Sequence, residues 1–354
     1  MINIHQKRII ISKTNQIGDV TFALPVASAL KKLDPTCTIL FLARAYTKSL
    51  VDLYQDVDEF IDWESLNKNP TDTAKKLAQY KADIIIHVHP QKEIARIAKQ
   101  AGIPIRLGSG RRLFHWNTCN RFINIQRSGS DLHETELDMM FLKKMGDHQK
   151  WRAKDIVALR SFKSFEDAHH PFLNYLDSQC FNLILHPKTR GQHIEWSLDH
   201  FSKLIELLPA SFKIFITGSE EEGKQVRDKL VTPHASRIVD LTGKLTLEQL
   251  MAFIAKADGL IAASTGPVHL AANFGINTLG LYAPIRPFHA GRWGPVGEKA
   301  EVLCINKNCE ACRHCQCQCI NEITPEMVQA VLLRWLSERD QRFLPSGEGM
   351  ASDG

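Results

Sequence analysis

Ala262-Ala-Ser-Thr-Gly-Pro-Val-His-Leu-Ala-Ala272 holds a strand end, a turn and a helix start in one run. Ahead of it, Ala257-Asp-Gly-Leu-Ile-Ala-Ala263 is apolar enough for a short buried strand. Behind it, Val268, Leu270, Ala271, Ala272 and Phe274 are helical in type, until Gly275 stops the helix. Thr278-Leu-Gly-Leu-Tyr282 is the next strand. Pro267 suits the first helical position, with Thr265 or Gly266 at the cap. Such a turn aims free backbone N–H groups and the positive end of a helix at one spot, which suits a phosphate. Gly266 lets a ligand approach the backbone, and Thr265 adds a hydroxyl. An ordinary buried strand-to-helix turn holding a packed histidine fits the same residues equally well.

The pattern repeats on both sides. In the second half, strands are expected at Phe181–His186, Lys213–Thr217 and Arg237–Asp240. Helices are expected at Leu198–Leu208, from Gly218 to Leu230, and at Leu247–Ala255. In the first half, Arg8–Ser12, Thr38–Ala43, Glu59–Trp63, Asp83–His89 and Ile103–Leu107 are strands. Helices fall at Val20–Leu33, Thr47–Leu53, Pro70–Tyr80, Ile94–Ala101 and Asp131–Met145, with Pro25 expected in the first turns of its helix. Strands alternating with helices mean α/β lobes with parallel sheets. Residues 1–178 form one Rossmann-like domain and 179–323 a second, whose ligand sits in the cleft at the carboxyl ends of the strands. A closing helix spans 324–342, and the Gly/Ser-rich end, 343–354, is expected to be disordered.

The composition is ordinary for a soluble globular protein of two domains. There are 354 residues, 44% hydrophobic and 23% charged, with a net charge of +5. That balance favours an anionic substrate or a membrane surface and carries no nucleic-acid signature. Met1-Ile-Asn-Ile-His-Gln-Lys7 leads straight into a strand without an apolar leader, so a cytoplasmic location is expected. Arg106, Arg111, Arg112, Arg121 and Arg127 crowd a loop-like segment with Phe114, His115 and Trp116. It is either a solvated basic loop or a site for a phosphorylated acceptor. Nine cysteines argue against a disulfide framework. Cys309-x-x-Cys312-x-x-Cys315 with Cys317 or Cys319 is a thiolate-ligand spacing; structural zinc is the first reading and an iron–sulfur cluster the alternative.

Several blocks together resemble one family. They are Ile17-Gly-Asp-Val20 with Leu24-Pro25, Ile105-Arg-Leu-Gly108, His186-Pro187, Thr217-Gly-Ser219, Leu241-Thr-Gly243, Ser264-Thr-Gly-Pro-Val-His-Leu-Ala-Ala272 and Tyr282-Ala-Pro284. In order and spacing they are similar to the ADP-heptose:lipopolysaccharide heptosyltransferases, glycosyltransferase family 9. The resemblance implies a GT-B fold and an inverting transfer of heptose from ADP-heptose to the inner core of lipopolysaccharide. It puts the acceptor in the first domain and the donor in the second, with the closing helix returning towards the first. It implies work at the inner face of the cytoplasmic membrane, attached peripherally by charge, and no catalytic metal.

Residue by residue, Asp19 matches the family's aspartate base, although an aspartate there also caps helices. Ser264, Thr265, Gly266 and His269 match the donor turn, with Thr265 and Gly266 meeting the leaving diphosphate. Family members carry a lysine shortly before the tryptophan that matches Trp196; here His193-Ile-Glu195 intervene. Lys188 or Arg190 is expected to supply the cation instead, with Thr189 offering a hydroxyl. Of Glu220, Glu221 and Glu222, the central Glu221 is taken for the ribose. Arg106, Arg111 and Arg112 are taken for the acceptor, and Cys309, Cys312, Cys315 and Cys319 for the metal.

Overall fold

The computed structural model describes residues 1–165, 170–189, 194–230, 236–284, 289–305 and 318–343. Its first lobe holds β1 (Arg8–Ser12), β2 (Thr38–Ala43), β3 (Glu59–Asp62), β4 (Ile84–Ile86), β5 (Ile105–Ser109) and β6 (Arg121–Ile123). Its second holds β7 (Phe181–His186), β8 (Phe212–Ile216), β9 (Ile238–Asp240), β10 (Gly259–Ala263), β11 (Asn277–Tyr282) and β12 (Ala300–Cys304). Each lobe is one six-stranded sheet, in the orders β3-β2-β1-β4-β5-β6 and β12-β11-β10-β7-β8-β9. The pairings are parallel throughout. Counted from its own first strand, each lobe has the same order. Helices cover both faces, so the central strands are apolar without alternation: Ile9, Ile10, Ile11 and Ile84, Ile85, Ile86 are all fully buried.

The order reverses between β1 and β4, and again between β7 and β10. A crevice opens at the carboxyl ends of those strands. Out of β1 comes Lys13 to Asp19; out of β10 come Ser264 and Thr265. The two crevices meet because the helix Ile17–Leu33 packs on the helix Gly266–Asn273. Glycine is needed at that crossing. A Cβ on Gly18 would stand 2.6 Å from His269 Cδ2, and one on Gly266 would stand 3.3 Å from Ile17 Cβ. The link between the lobes is also packed. Arg160 donates to the carbonyls of Ala272 and Val296, and Phe162 and Phe165 meet the Phe274 ring edge-on.

Four expectations need correction. The first helix starts at Ile17, so Asp19 lies inside its first turn and Pro25 is interior. The Asp131–Met145 helix is the α-helix Glu134–Met139 running into a 3-10 segment, Met140–Met145. The sixth strand of each sheet, β6 and β12, was not expected; both are edge strands with largely open faces, so neither reads as a buried apolar run. The closing helix, Pro325–Phe343, makes its described contacts with the second lobe. Val328, Leu332 and Trp335 enter that lobe's core, Trp335 donates to Glu301 and Gln329 to the Leu207 carbonyl.

Candidate functional site

Between the lobes lies a cleft of ≈ 680 Å³. From the first lobe it is lined by Gln16, Ile17, Gly18, Asp19, Phe22 and Tyr46. From the second it takes His186 and Thr189, the Thr217–Glu220 turn with Glu222, the Ser264–Pro267 turn, His269 and Trp293. Leu241, Leu245, Leu247 and Leu250 make one apolar wall. Such a shape suits a ligand with a flat apolar part and a polar, charged part.

Thr265 caps the helix Gly266–Asn273 in extended backbone, with φ −146° and ψ 163°, and Pro267 follows within the first turn. The helix therefore presents its N-terminal N–H groups to the cleft, as its sequence requires. Ser264 hydrogen-bonds the Tyr282 hydroxyl, which itself donates to the Trp293 carbonyl at 2.7 Å. His269 both lines the cleft and packs: its ring lies 4.7 Å from that of Phe22, edge to face. Across the turn, His186 Nδ1 and the Thr217 hydroxyl are 3.0 Å apart.

Asp19 faces this turn from the other lobe, and a buried ionic cluster stands behind it. Lys13, 1% exposed, places Nζ 3.0 Å from Asp138 and 3.9 Å from both Asp19 and Glu134. Arg127 pairs with Glu134 and, at 2.7 Å, with Asp138. Arg292, from the second lobe, reaches Glu134 at 3.1 Å. Three cations thus interleave with three carboxylates, largely shielded from water, with Asp19 at the cleft edge. Burial raises the Asp19 carboxyl above its ordinary range; Lys13 opposes this and Glu134 and Asp138 add to it. Burial also acts to raise Glu134, but Lys13, Arg127 and Arg292 outweigh it and hold that carboxyl low. His89, beyond β4, is pushed down to about 4 by burial, with Lys13, Arg127 and Arg112 adding to the effect. A carboxylate with a raised pKa, fixed on a helix and opening onto a cleft, is suited to accept a proton.

Asp19, Thr189, Ser264, Thr265, Gly266 and His269 come together around the cleft. Lys188 does not line it, because its ammonium is bonded to Glu195. The same carboxylate accepts from the Thr189 N–H at 2.8 Å and the Thr189 hydroxyl at 3.1 Å. Glu195 thus organises the loop where a cation was expected, and among the described lining residues there is no lysine or arginine. Glu221 is misassigned: its side chain is 77% exposed and pairs with Lys224, whereas Glu220 and Glu222 reach the cleft. Helical spacing turns the middle member of the three outward. Arg106 is also misassigned. It sits near the start of β5, away from the crevice end, and its guanidinium donates to the carbonyls of Thr118 and Ile103. Arg111 and Arg112 are exposed at the carboxyl end of β5, outside the cleft lining. Arg190, Cys309, Cys312 and Cys315 lie outside the described residues; Cys319 is buried in the second lobe's core.

Lys13, Glu134, Asp138 and Arg292 were not singled out from sequence. Lys13 stands directly after β1, which is the one signal that could have found it. The other three are brought in by folding: Glu134 and Asp138 are one helical turn apart on a helix packed against Ile17–Leu33, and Arg292 is far along the chain.

Known proteins share the family and the fold. The profile of "Glycosyltransferase family 9 (heptosyltransferase)" matches residues 71–321. The lipopolysaccharide core heptosyltransferase OpsX of Haemophilus influenzae is 21% identical, over 84% of this chain and 84% of its own. Two solved structures share the fold. One is a glycosyl transferase of family 9 from Veillonella parvula, with TM-score 0.79, 19% identity, and 95% and 99% of the chains covered. The other is ADP-heptose lps heptosyltransferase II of E. coli, with TM-score 0.74, 18% identity, and 94% and 99% covered. The two facing lobes are the GT-B architecture, and with a profile match over most of its length the chain is an enzyme that belongs to glycosyltransferase family 9.

Proposed function

We propose that the chain moves heptose from ADP-L-glycero-β-D-manno-heptose to the inner core of lipopolysaccharide, with inversion at the sugar C1. Inversion requires one displacement. The Asp19 carboxylate takes the proton of an acceptor hydroxyl as that oxygen attacks C1, and the bond from C1 to the diphosphate oxygen breaks. The departing ADP gathers negative charge at the Thr265 hydroxyl and the first N–H groups of the helix Gly266–Asn273. Adenosine lies against Leu245, Leu247 and Leu250, with its ribose towards Glu220 and Glu222. No metal ion takes part in the displacement. The acceptor is carried on lipid at the inner face of the cytoplasmic membrane, which the enzyme meets peripherally.

One observation supports this above the others: Asp19 and the Ser264–Pro267 turn, from different lobes, line one cleft. The test is incubation with ADP-heptose and a set of truncated lipopolysaccharides, read by mass spectrometry. A mass gain of one heptose is expected. An Asp19→Ala variant should bind ADP-heptose and transfer nothing; unchanged transfer would remove Asp19 as the base. The engaged Lys188 and the lack of a lining cation among the described residues favour a second reading, a different nucleotide-sugar donor. Turnover of another nucleotide sugar, with none of ADP-heptose, would select it.

A further inference from the structure

Residues 94–130 carry Arg96, Lys99, Arg106, Arg111, Arg112, Arg121 and Arg127 and no aspartate or glutamate, in a chain whose net charge is only +5. Arg106 and Arg127 are taken up inside the fold; Arg96, Lys99, Arg111, Arg112 and Arg121 are exposed. Among these cations stand the apolar side chains that the fold leaves most open in this region. Leu113 is 84% exposed, Trp116 68% and Phe122 39%. They form one patch. Leu113 and Trp116 are one turn apart on the helix Leu113–Thr118. Trp116 Nε1 donates to the Gly110 carbonyl at 2.8 Å, which fixes the indole facing outward. Phe122 Cβ lies 3.8 Å from where a Gly110 Cβ would stand, and Arg111 is tied to Asn124 beside it. Lys99 donates to the Asn117 carbonyl, joining the neighbouring helix to the same surface.

We propose that this edge of the first lobe docks on an anionic bilayer, with Leu113, Trp116 and Phe122 entering the headgroup layer and the exposed arginines binding lipid phosphates. Exposed apolar side chains ringed by cations have that chemistry. A second copy of this chain is a poorer occupant, because a symmetric contact would set the same cations against each other. The position is also suitable. The patch follows the carboxyl end of β5, and in the sheet only β4 separates β5 from β1, whose carboxyl end leads to Asp19. At strand spacing that is about 10 Å along one rim. A lipid-borne acceptor would reach the base without leaving the surface. The purpose of docking rests on the proposed lipid acceptor; the docking itself does not.

The test is sedimentation of the full chain with vesicles of phosphatidylcholine alone or mixed with phosphatidylglycerol. The chain should pellet with the mixed vesicles only, and less so as salt rises. Arg111→Gln/Arg112→Gln should weaken binding about thirtyfold, and Leu113→Ser/Trp116→Ser about tenfold or more. All four side chains are exposed, so thermal melting should change only slightly, by the loss of the Trp116–Gly110 and Arg111–Asn124 hydrogen bonds. Leu113→Ser/Trp116→Ser should keep full transfer to a truncated, water-soluble acceptor and lose transfer to a vesicle-borne one. Equal sedimentation with both vesicle types, or undiminished binding by both double variants, overturns the proposal. So does a dimer that Leu113→Ser/Trp116→Ser abolishes while vesicles go unbound. Selective vesicle binding supports docking even if no donor is turned over.

Discussion

Replacing Lys13 by methionine should separate the two duties of the buried ionic cluster. Nζ lies 3.0 Å from Asp138 and 3.9 Å from Asp19 and Glu134, and the side chain is 1% exposed. At 3.9 Å and an effective dielectric of about 20, one such attraction is about 4 kcal/mol before desolvation is set against it. Removing one partner from a buried network costs about 3–5 kcal/mol, because the other charges stay behind. Asp138 keeps Arg127 at 2.7 Å and Glu134 keeps Arg292, so the lower end, about 3 kcal/mol, is expected. In a two-lobed chain this is best followed as Tm, which should fall by several degrees. Lys13 is also the largest influence holding the Asp19 carboxyl down. Without it that carboxyl rises further, so the acid limb of kcat/KM moves to higher pH. A second substitution, Asp138→Asn, removes the excess negative charge that Lys13→Met leaves in the cluster and should restore part of the stability. An unmoved acid limb together with an unchanged Tm in Lys13→Met would refute the reasoning.

Asp19→Asn should cut transfer by about 10²–10⁴-fold. Since the folded-state pKa of Asp19 is raised, the stabilising share of this carboxyl is present below its unfolded value and lost as pH climbs through the folded one. At neutral pH the asparagine variant should therefore melt no earlier than the wild type, and a lower Tm there would contradict the account. Gly18→Ala would set a methyl 2.6 Å from His269 Cδ2, so a loss of about 1–3 kcal/mol and weaker donor binding are expected, read by melting and by titration with ADP. Glu195→Gln releases Lys188 while keeping an acceptor for Thr189, so the donor KM should fall; an unchanged or higher KM would show that Lys188 cannot reach the diphosphate. The spacing of Cys309, Cys312 and Cys315 leads us to expect zinc by elemental analysis of the purified chain, whereas a visible absorbance band would assign iron–sulfur instead.

What could be read from the chain ahead of its structure follows a physical division. The Ser264–Pro267 turn was legible because everything it needs is local. Gly259–Ala263 is an apolar strand, Thr265 a cap and Pro267 a first-turn residue, and these specify strand, turn and helix without help from elsewhere. The sheets were legible in their centres, where burial on both faces forces unbroken runs such as Ile9–Ile11, and not at β6 and β12, where one side is open. Side-chain duties failed wherever the folded conformation, and not a local sequence pattern, decides which partner a charged group meets. Lys188 looks like a phosphate ligand until Glu195 closes on it, and Arg106 looks like an acceptor contact until its guanidinium is seen on two carbonyls. The same argument explains the ionic cluster. Lys13, Glu134 and Arg292 are spread over most of the chain, and none has a reason to be charged and buried until the others arrive. The pairing of Arg292 with Glu134 spans the two lobes, so the charge balance around Asp19 depends on how the lobes are set against each other. A change of lobe angle would then alter the charge around Asp19 as well as the width of the cleft, and this coupling has no trace in either half of the sequence taken alone.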